Sequence, residues 1–181
     1  MPIIGIVASS TNQGLDTGSM FPIFATTVSA SGTSSVVFSS IPSTYKHLQV
    51  RLVAAQSAGG VLRLRFNGDS GNNYNSHWLY TDSSSVSSGN SSVVPSGINT
   101  AFSPAANAQG VAVIDILDYT NTNKYTTTRS IDGSDNNSVT AIELSSGVWL
   151  NTAEVSNITF TSQNGTFNAG SVFALYGIKG A

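Results

Sequence analysis

Between Tyr45 and Phe66 the chain alternates apolar and polar residues twice, and this period of two constrains the fold more than any other feature. Leu48, Val50 and Leu52 share one parity against Gln49 and Arg51, and Leu62, Leu64 and Phe66 repeat the pattern against Arg63 and Arg65. Successive side chains of a strand point to opposite faces, so each run reads as a half-buried β-strand. Four of the seven basic residues, Lys46, Arg51, Arg63 and Arg65, fall here, which marks this stretch as the charged face of the protein.

The remainder continues in the same manner. Runs at residues 23–30, 34–40, 46–55, 61–66, 74–81, 110–117, 124–131, 138–145, 155–161 and 171–178 read as strands, and no segment sustains a capped helical period. Asn67-Gly68, Asp132-Gly133 and Asn164-Gly165 offer the positive φ of tight connections. Asn164-Gly165, between Ile158-Thr159-Phe160 and Thr166-Phe167, is the strongest hairpin signal. The expected fold is an all-β, antiparallel two-sheet sandwich, jelly-roll-like, with residues 23–181 as one domain. Two segments fall outside that pattern. Residues 1–22 read as an extended N-terminal arm whose Ile3, Ile4, Ile6, Val7 and Phe21 need an apolar surface to cover them. Ser83 to Ser92 reads as a flexible low-complexity loop.

Composition narrows the function classes. Only 9% of residues are charged and the net charge is −2, so copies repel weakly and no positive field attracts nucleic acid. Cysteine is absent, which excludes thiol catalysis. His47 and His77 lack ligand-like spacing, so no metal site or other cofactor is expected. No Gly-x-Ser-x-Gly elbow occurs. Asp115 and Asp118 point to opposite faces of a regular strand and cannot act as a paired acid and base. Asp115 is expected to cap or to pair with a basic residue such as Arg51 or Arg129, and Asp118 to begin a turn into Asn121 and Asn123. Asp69 with Asn72 and Asn73, and Asp132 with Asp135 and Asn136, offer calcium-type oxygens without the EF-hand pattern and read as turn chemistry. No catalytic residue is identified, and the chain is expected not to be an enzyme. The run from Ile3 to Ala8 lacks the basic leader of a signal peptide, and no stretch approaches the roughly 20 apolar residues of a membrane span. Tyr74, Trp78 and Tyr80 share one parity and could form a platform for sugar rings, although core packing is the default for Trp78.

Several blocks occur in order: Ser40-Ile41-Pro42-Ser43-Thr44-Tyr45-Lys46-His47-Leu48-Gln49-Val50-Arg51, Arg65-Phe66-Asn67-Gly68-Asp69-Ser70-Gly71-Asn72-Asn73-Tyr74, Ile114-Asp115-Ile116-Leu117-Asp118-Tyr119-Thr120-Asn121-Thr122-Asn123-Lys124-Tyr125, Ser145-Ser146-Gly147-Val148-Trp149 and Phe173-Ala174-Leu175-Tyr176-Gly177-Ile178-Lys179. Together they resemble a family of virion structural proteins of tailed bacteriophages, over residues from about 40 to the C-terminus. The resemblance implies a place on the outer surface of the particle, as a head decoration protein or a tail or fibre component made in the host cytoplasm. Its implied partners are other capsid or tail proteins, and phage architecture suggests a homotrimer. The arm would then be the anchoring element. A host-surface carbohydrate-binding module is the alternative.

Overall fold

The computed structural model describes residues 19–180 except 83, 95, 104, 136, 138 and 139. Ile3, Ile4, Ile6 and Val7 lie outside the described residues. The described residues form twelve strands: β1 (Met20–Thr27), β2 (Ser35–Phe38), β3 (His47–Ala55), β4 (Gly60–Phe66), β5 (Tyr74–Asp82), β6 (Val86–Val94), β7 (Ile98–Ser103), β8 (Gln109–Leu117), β9 (Thr126–Asp135), β10 (Thr140–Trp149), β11 (Ile158–Ser162) and β12 (Val172–Ile178). They form two antiparallel sheets, eight strands in the order β1-β12-β3-β8-β9-β10-β5-β6 and four in the order β2-β11-β4-β7. The smaller sheet packs on one face of the larger, and the core lies between them.

The period-two alternation of β3 and β4 sets this core. Leu48, Val50 and Leu52 of β3 and Leu62, Leu64 and Phe66 of β4 are buried on facing sheets. The aromatic rings of Phe38, Phe160, Phe173 and Phe167 pack in a chain with centroids 5.1 to 6.3 Å apart. Such offset and edge contacts contribute about 0.5–1.5 kcal/mol each beyond the area that they bury.

Four expectations need correction. Phe21 is not a free anchor: Met20, Phe21 and Pro22 belong to β1, which pairs with β12, and Phe21 stacks on Tyr45 at 5.9 Å. Pro22 sits beside a register shift on the sheet's edge strand, where its missing N–H costs no ladder bond. Residues 86–92 of the serine-rich stretch belong to β6 (Val86–Val94) rather than to a loop, after a turn that Asp82 organises. The Asp82 carboxylate accepts the Ser84 N–H at 2.8 Å, the Ser84 hydroxyl at 2.9 Å and the Ser85 N–H at 2.8 Å.

Asp132-Gly133 is not a turn but lies inside β9, where its ladder to β10 runs without a break. Asn164-Gly165 does turn, with Gly165 at φ 89°, yet it closes no hairpin. β11 pairs with β2 and β4, and the turn carries the chain across to the larger sheet. By contrast Asn67 and Gly68 both have positive φ, 51° and 68°, as a tight turn requires.

Candidate functional site

Two of the sequence blocks, residues 65–74 and 145–149, meet in a structural lock at one end of the sandwich. The buried Trp149 indole donates to Asp69 Oδ2 at 2.7 Å and packs on Phe66 at 5.5 Å. Asp69 also accepts the Gly71 N–H at 2.7 Å and the Asn73 amide at 2.9 Å. Burial alone would raise the Asp69 carboxyl, but these donors outweigh it and hold it below the usual carboxylate range. Its oxygens are committed to bracing the loop, as turn chemistry predicts. The second acidic cluster is not one site: Asp132 points inward from β9, while Asp135 accepts the Asn137 N–H at 2.6 Å. Among the described residues no group of three metal-ligating side chains comes together.

Asp118 begins the expected turn, its carbonyl accepting the Asn121 N–H at 2.9 Å. Lys46 Nζ lies 3.0 Å from Asp118 Oδ1, and Lys124 Nζ donates to Oδ2. His47 Nδ1 accepts the Asp118 backbone N–H at 2.9 Å and lies 3.5 Å from Asp118 Oδ1. Hydrogen bonds from Lys124 and Lys46 draw the Asp118 carboxyl down to about 2, and donors from Ser84 and Ser85 do the same for Asp82. A depressed carboxyl adds stability that is complete above its ordinary 3.8 and is lost as pH falls through about 2. Thermal melts are therefore expected to drop between about pH 4 and about pH 2, and Asp118→Asn to drop less across that window. Asp115 makes no ion pair among the described residues; it accepts the Gln49 amide at 2.8 Å, and Arg51 donates to Gln49 at 2.9 Å.

The basic residues do not share a face. Arg51 projects from the outside of the larger sheet, whereas Arg63 and Arg65 alternate outward from the smaller one among Ser35, Val37, Thr159 and Thr161. Burial first, then neighbouring Arg65, lowers the pKa of Arg63.

The outside of the larger sheet is different in character. Its registers place Val172, Val53, Val111, Gly133 and Ile142 in one row. The next row runs Arg51, Val113, Ile131, Leu144 and Leu79. Val111, Ile131, Ile142, Leu144 and Leu79 are each about half exposed, at 49% to 55%. Because Gly133 has no side chain, Val111, Val113, Ile131 and Ile142 border a shallow apolar groove of about 500 Å³. A third row, Gln49, Asp115, Arg129, Ser146 and His77, rims this band with polar groups of both signs.

The inner side of β9 and β10 is correspondingly polar, with Thr126, Thr128, Ser130, Asp132, Ser134, Glu143 and Ser145 buried. β7 covers that surface, and its Asn99 N–H donates to Ser76 of β5 at 3.0 Å. The inner face of β5 and β6 runs past the β7 edge and leaves a cleft of about 280 Å³ lined by Val61, Trp78, Tyr80, Asn99 and Glu143.

Tyr74 is not part of this platform: it is fully buried, and its hydroxyl takes the Phe66 N–H and donates to the Asp69 carbonyl, each at 3.1 Å. Trp78 and Tyr80 remain half-buried beside the cleft. The Trp78 ring covers Gly89 of β6, where an added Cβ would stand 2.6 Å from Cζ2. Glu143 is 5% exposed, and burial pushes its carboxyl up against the opposing hydrogen bond from Ser145. Sequence reading missed Glu143 and Asn99, which reach the cleft from β10 and β7.

No protein-family model matches this chain, and the search of curated proteins finds no match. Among solved structures, alginate lyase Aly36B is 12% identical over 93% of this chain and 88% of its own, with a TM-score of 0.35. A double mutant of the same lyase in complex with alginate tetrasaccharide gives the same identity and TM-score, 12% and 0.35, over 94% of this chain and 91% of its own. A tetrameric galectin from Cinachyrella sp. (ball sponge) is 11% identical over 76% of this chain and 96% of its own, with a TM-score of 0.21. Similarities at this level carry no argument about this chain.

Proposed function

We propose that this protein is a non-enzymatic structural subunit of a bacteriophage particle, an exterior β-sandwich mounted on the capsid or tail as a decoration or fibre component. The observation that carries this reading is the apolar band on the outside of the larger sheet, centred on Val111, Ile131, Ile142 and Leu144. Monomeric proteins rarely leave a contiguous apolar surface of this kind in water, and a polar rim around it is how association surfaces are built. The occupant is a neighbouring copy of the chain, in keeping with a net charge of only −2. A homotrimer is the expected state, and Ile3, Ile4, Ile6 and Val7 of the arm add the attachment to other virion proteins. The resemblance of residues 40–181 to phage virion proteins supports the same reading.

Replacing Ile131 and Leu144 together with lysine tests it. Both side chains point to solvent in the single chain, so the melting temperature is expected to stay close to wild type. Light scattering over a concentration series is expected to show wild-type oligomers and a monomeric double variant. A wild-type monomer at every concentration, or an oligomeric variant, overturns the proposal.

A further inference from the structure

We propose that the cleft between the β7 edge and the inner face of β5 binds a neutral sugar residue of a glycan. This site lies on the opposite side of the larger sheet from the apolar band and is independent of the assembly role. Its volume, about 280 Å³, is near the small end of ligand pockets and suits a single ring. Two half-buried aromatic side chains, Trp78 and Tyr80, offer rings for the C–H face of a pyranose, and Val61 adds an apolar side chain to the lining. Glu143 and Asn99 line the same space, and a carboxyl and an amide are the acceptor and donor types that sugar hydroxyls need. The Trp78 ring occupies the room above Gly89, which a side chain there would take from it.

The charge around the cleft sets the ligand class. Neither Arg nor Lys lines it, Asp132 stands in register beside Glu143, and the Tyr80 hydroxyl donates to Asp82 at 3.4 Å. A uronate carboxylate entering here would meet Glu143 with no Arg or Lys in the cleft wall to balance it, Arg63 beside Asn99 projecting from the outer face of the smaller sheet, whereas a neutral hexose needs no counter-charge.

The test is calorimetry and tryptophan emission on the full chain with millimolar neutral tetrasaccharides of glucose, mannose, galactose and N-acetylglucosamine, and with mannuronate and guluronate tetrasaccharides. Trp149 is 1% exposed, so Trp78 is the reporter. At least one neutral series is expected to bind saturably and shift the emission, with uronates about tenfold weaker or worse. Tyr80→Ala and Gly89→Ala are each expected to weaken binding about tenfold, the second by pushing the Trp78 ring into the cleft. Glu143→Gln keeps the shape of the wall and is expected to narrow the gap between neutral and acidic sugars. The proposal is overturned if no neutral series binds, if uronates bind as tightly, or if binding survives both Tyr80→Ala and Glu143→Gln unchanged. The Ile131→Lys, Leu144→Lys variant keeps its sugar binding if the cleft acts alone, which separates failure here from failure of the assembly reading.

Discussion

Replacing Trp149 with alanine is expected to destabilise the protein by about 3–5 kcal/mol, the usual cost of emptying a fully buried indole site. For a domain of this size each kcal/mol moves the melting temperature by about 2–4 °C, so the transition should fall by about 6–20 °C. The reason lies in what the indole joins. It fills the space against Phe66 at the end of β4 and ties β10 to the loop after β4 through its bond to Asp69. Asp69→Ala, which leaves the buried indole N–H and the Asn73 amide without their acceptor, should cost less, about 1–3 kcal/mol. The double variant is expected to cost less than the sum, since both single changes break the same bond. Differential scanning calorimetry of the three variants measures this directly. A Trp149→Ala protein melting within about 3 °C of wild type would show that the indole does not lock this end of the sandwich.

Gly147→Ala carries the second large effect. A Cβ at that position would sit 2.2 Å from Ile98 Cγ2 and 2.9 Å from Thr128 Oγ1, distances that force β7 away from the inner face of β10. Overpacking of this kind costs about 1–3 kcal/mol. Ile98→Ala removes the obstructing methyl groups, so adding it to Gly147→Ala should be far cheaper than the two single costs combined. Denaturant melts of the four proteins give that coupling, expected at about 1 kcal/mol or more. Strict additivity would show that β7 does not rest on Gly147. The same displacement would widen the cleft that Asn99 shares with Glu143.

How far the sequence disclosed this molecule depends on the strand. On β3 and β4 the apolar parity is the buried parity, so the alternation alone places Leu48, Val50, Leu62 and Leu64 in the core. On β9 and β10 the alternation is equally regular but inverted: Ser130, Asp132, Glu143 and Ser145 face inward, and Ile131, Ile142 and Leu144 face out. A period of two assigns residues to faces without saying which face is inside. That choice is made by β7, whose Ile98 and Thr100 pack onto the polar side. β6 was hidden for another reason, because its serines and glycine carry little strand propensity and its pairing rests on the Asp82 turn and the β5 ladder.

The candidate cleft was legible only in half. Trp78 and Tyr80 share a strand and could be seen together, but Asn99 and Glu143 arrive from strands that the topology alone brings near. Tyr74 shares their parity and, through an unbroken ladder to β10, their inner face, but its end of β5 lies in the core, where its hydroxyl meets the backbone of Phe66. The clustering of Arg51 with Arg63 and Arg65 in sequence was equally misleading, since β3 and β4 lie in different sheets and present them on opposite sides.

The assembly role stands or falls on whether the outside of the larger sheet is covered when copies of the chain meet. Carbene footprinting at low and high protein concentration, read residue by residue, measures that coverage. The predicted result is that labelling of Val111, Ile131, Ile142 and Leu144 falls as the protein assembles, while Val37 on the smaller sheet stays accessible. Unchanged labelling of those four residues at every concentration, or protection confined to the smaller sheet, would contradict it.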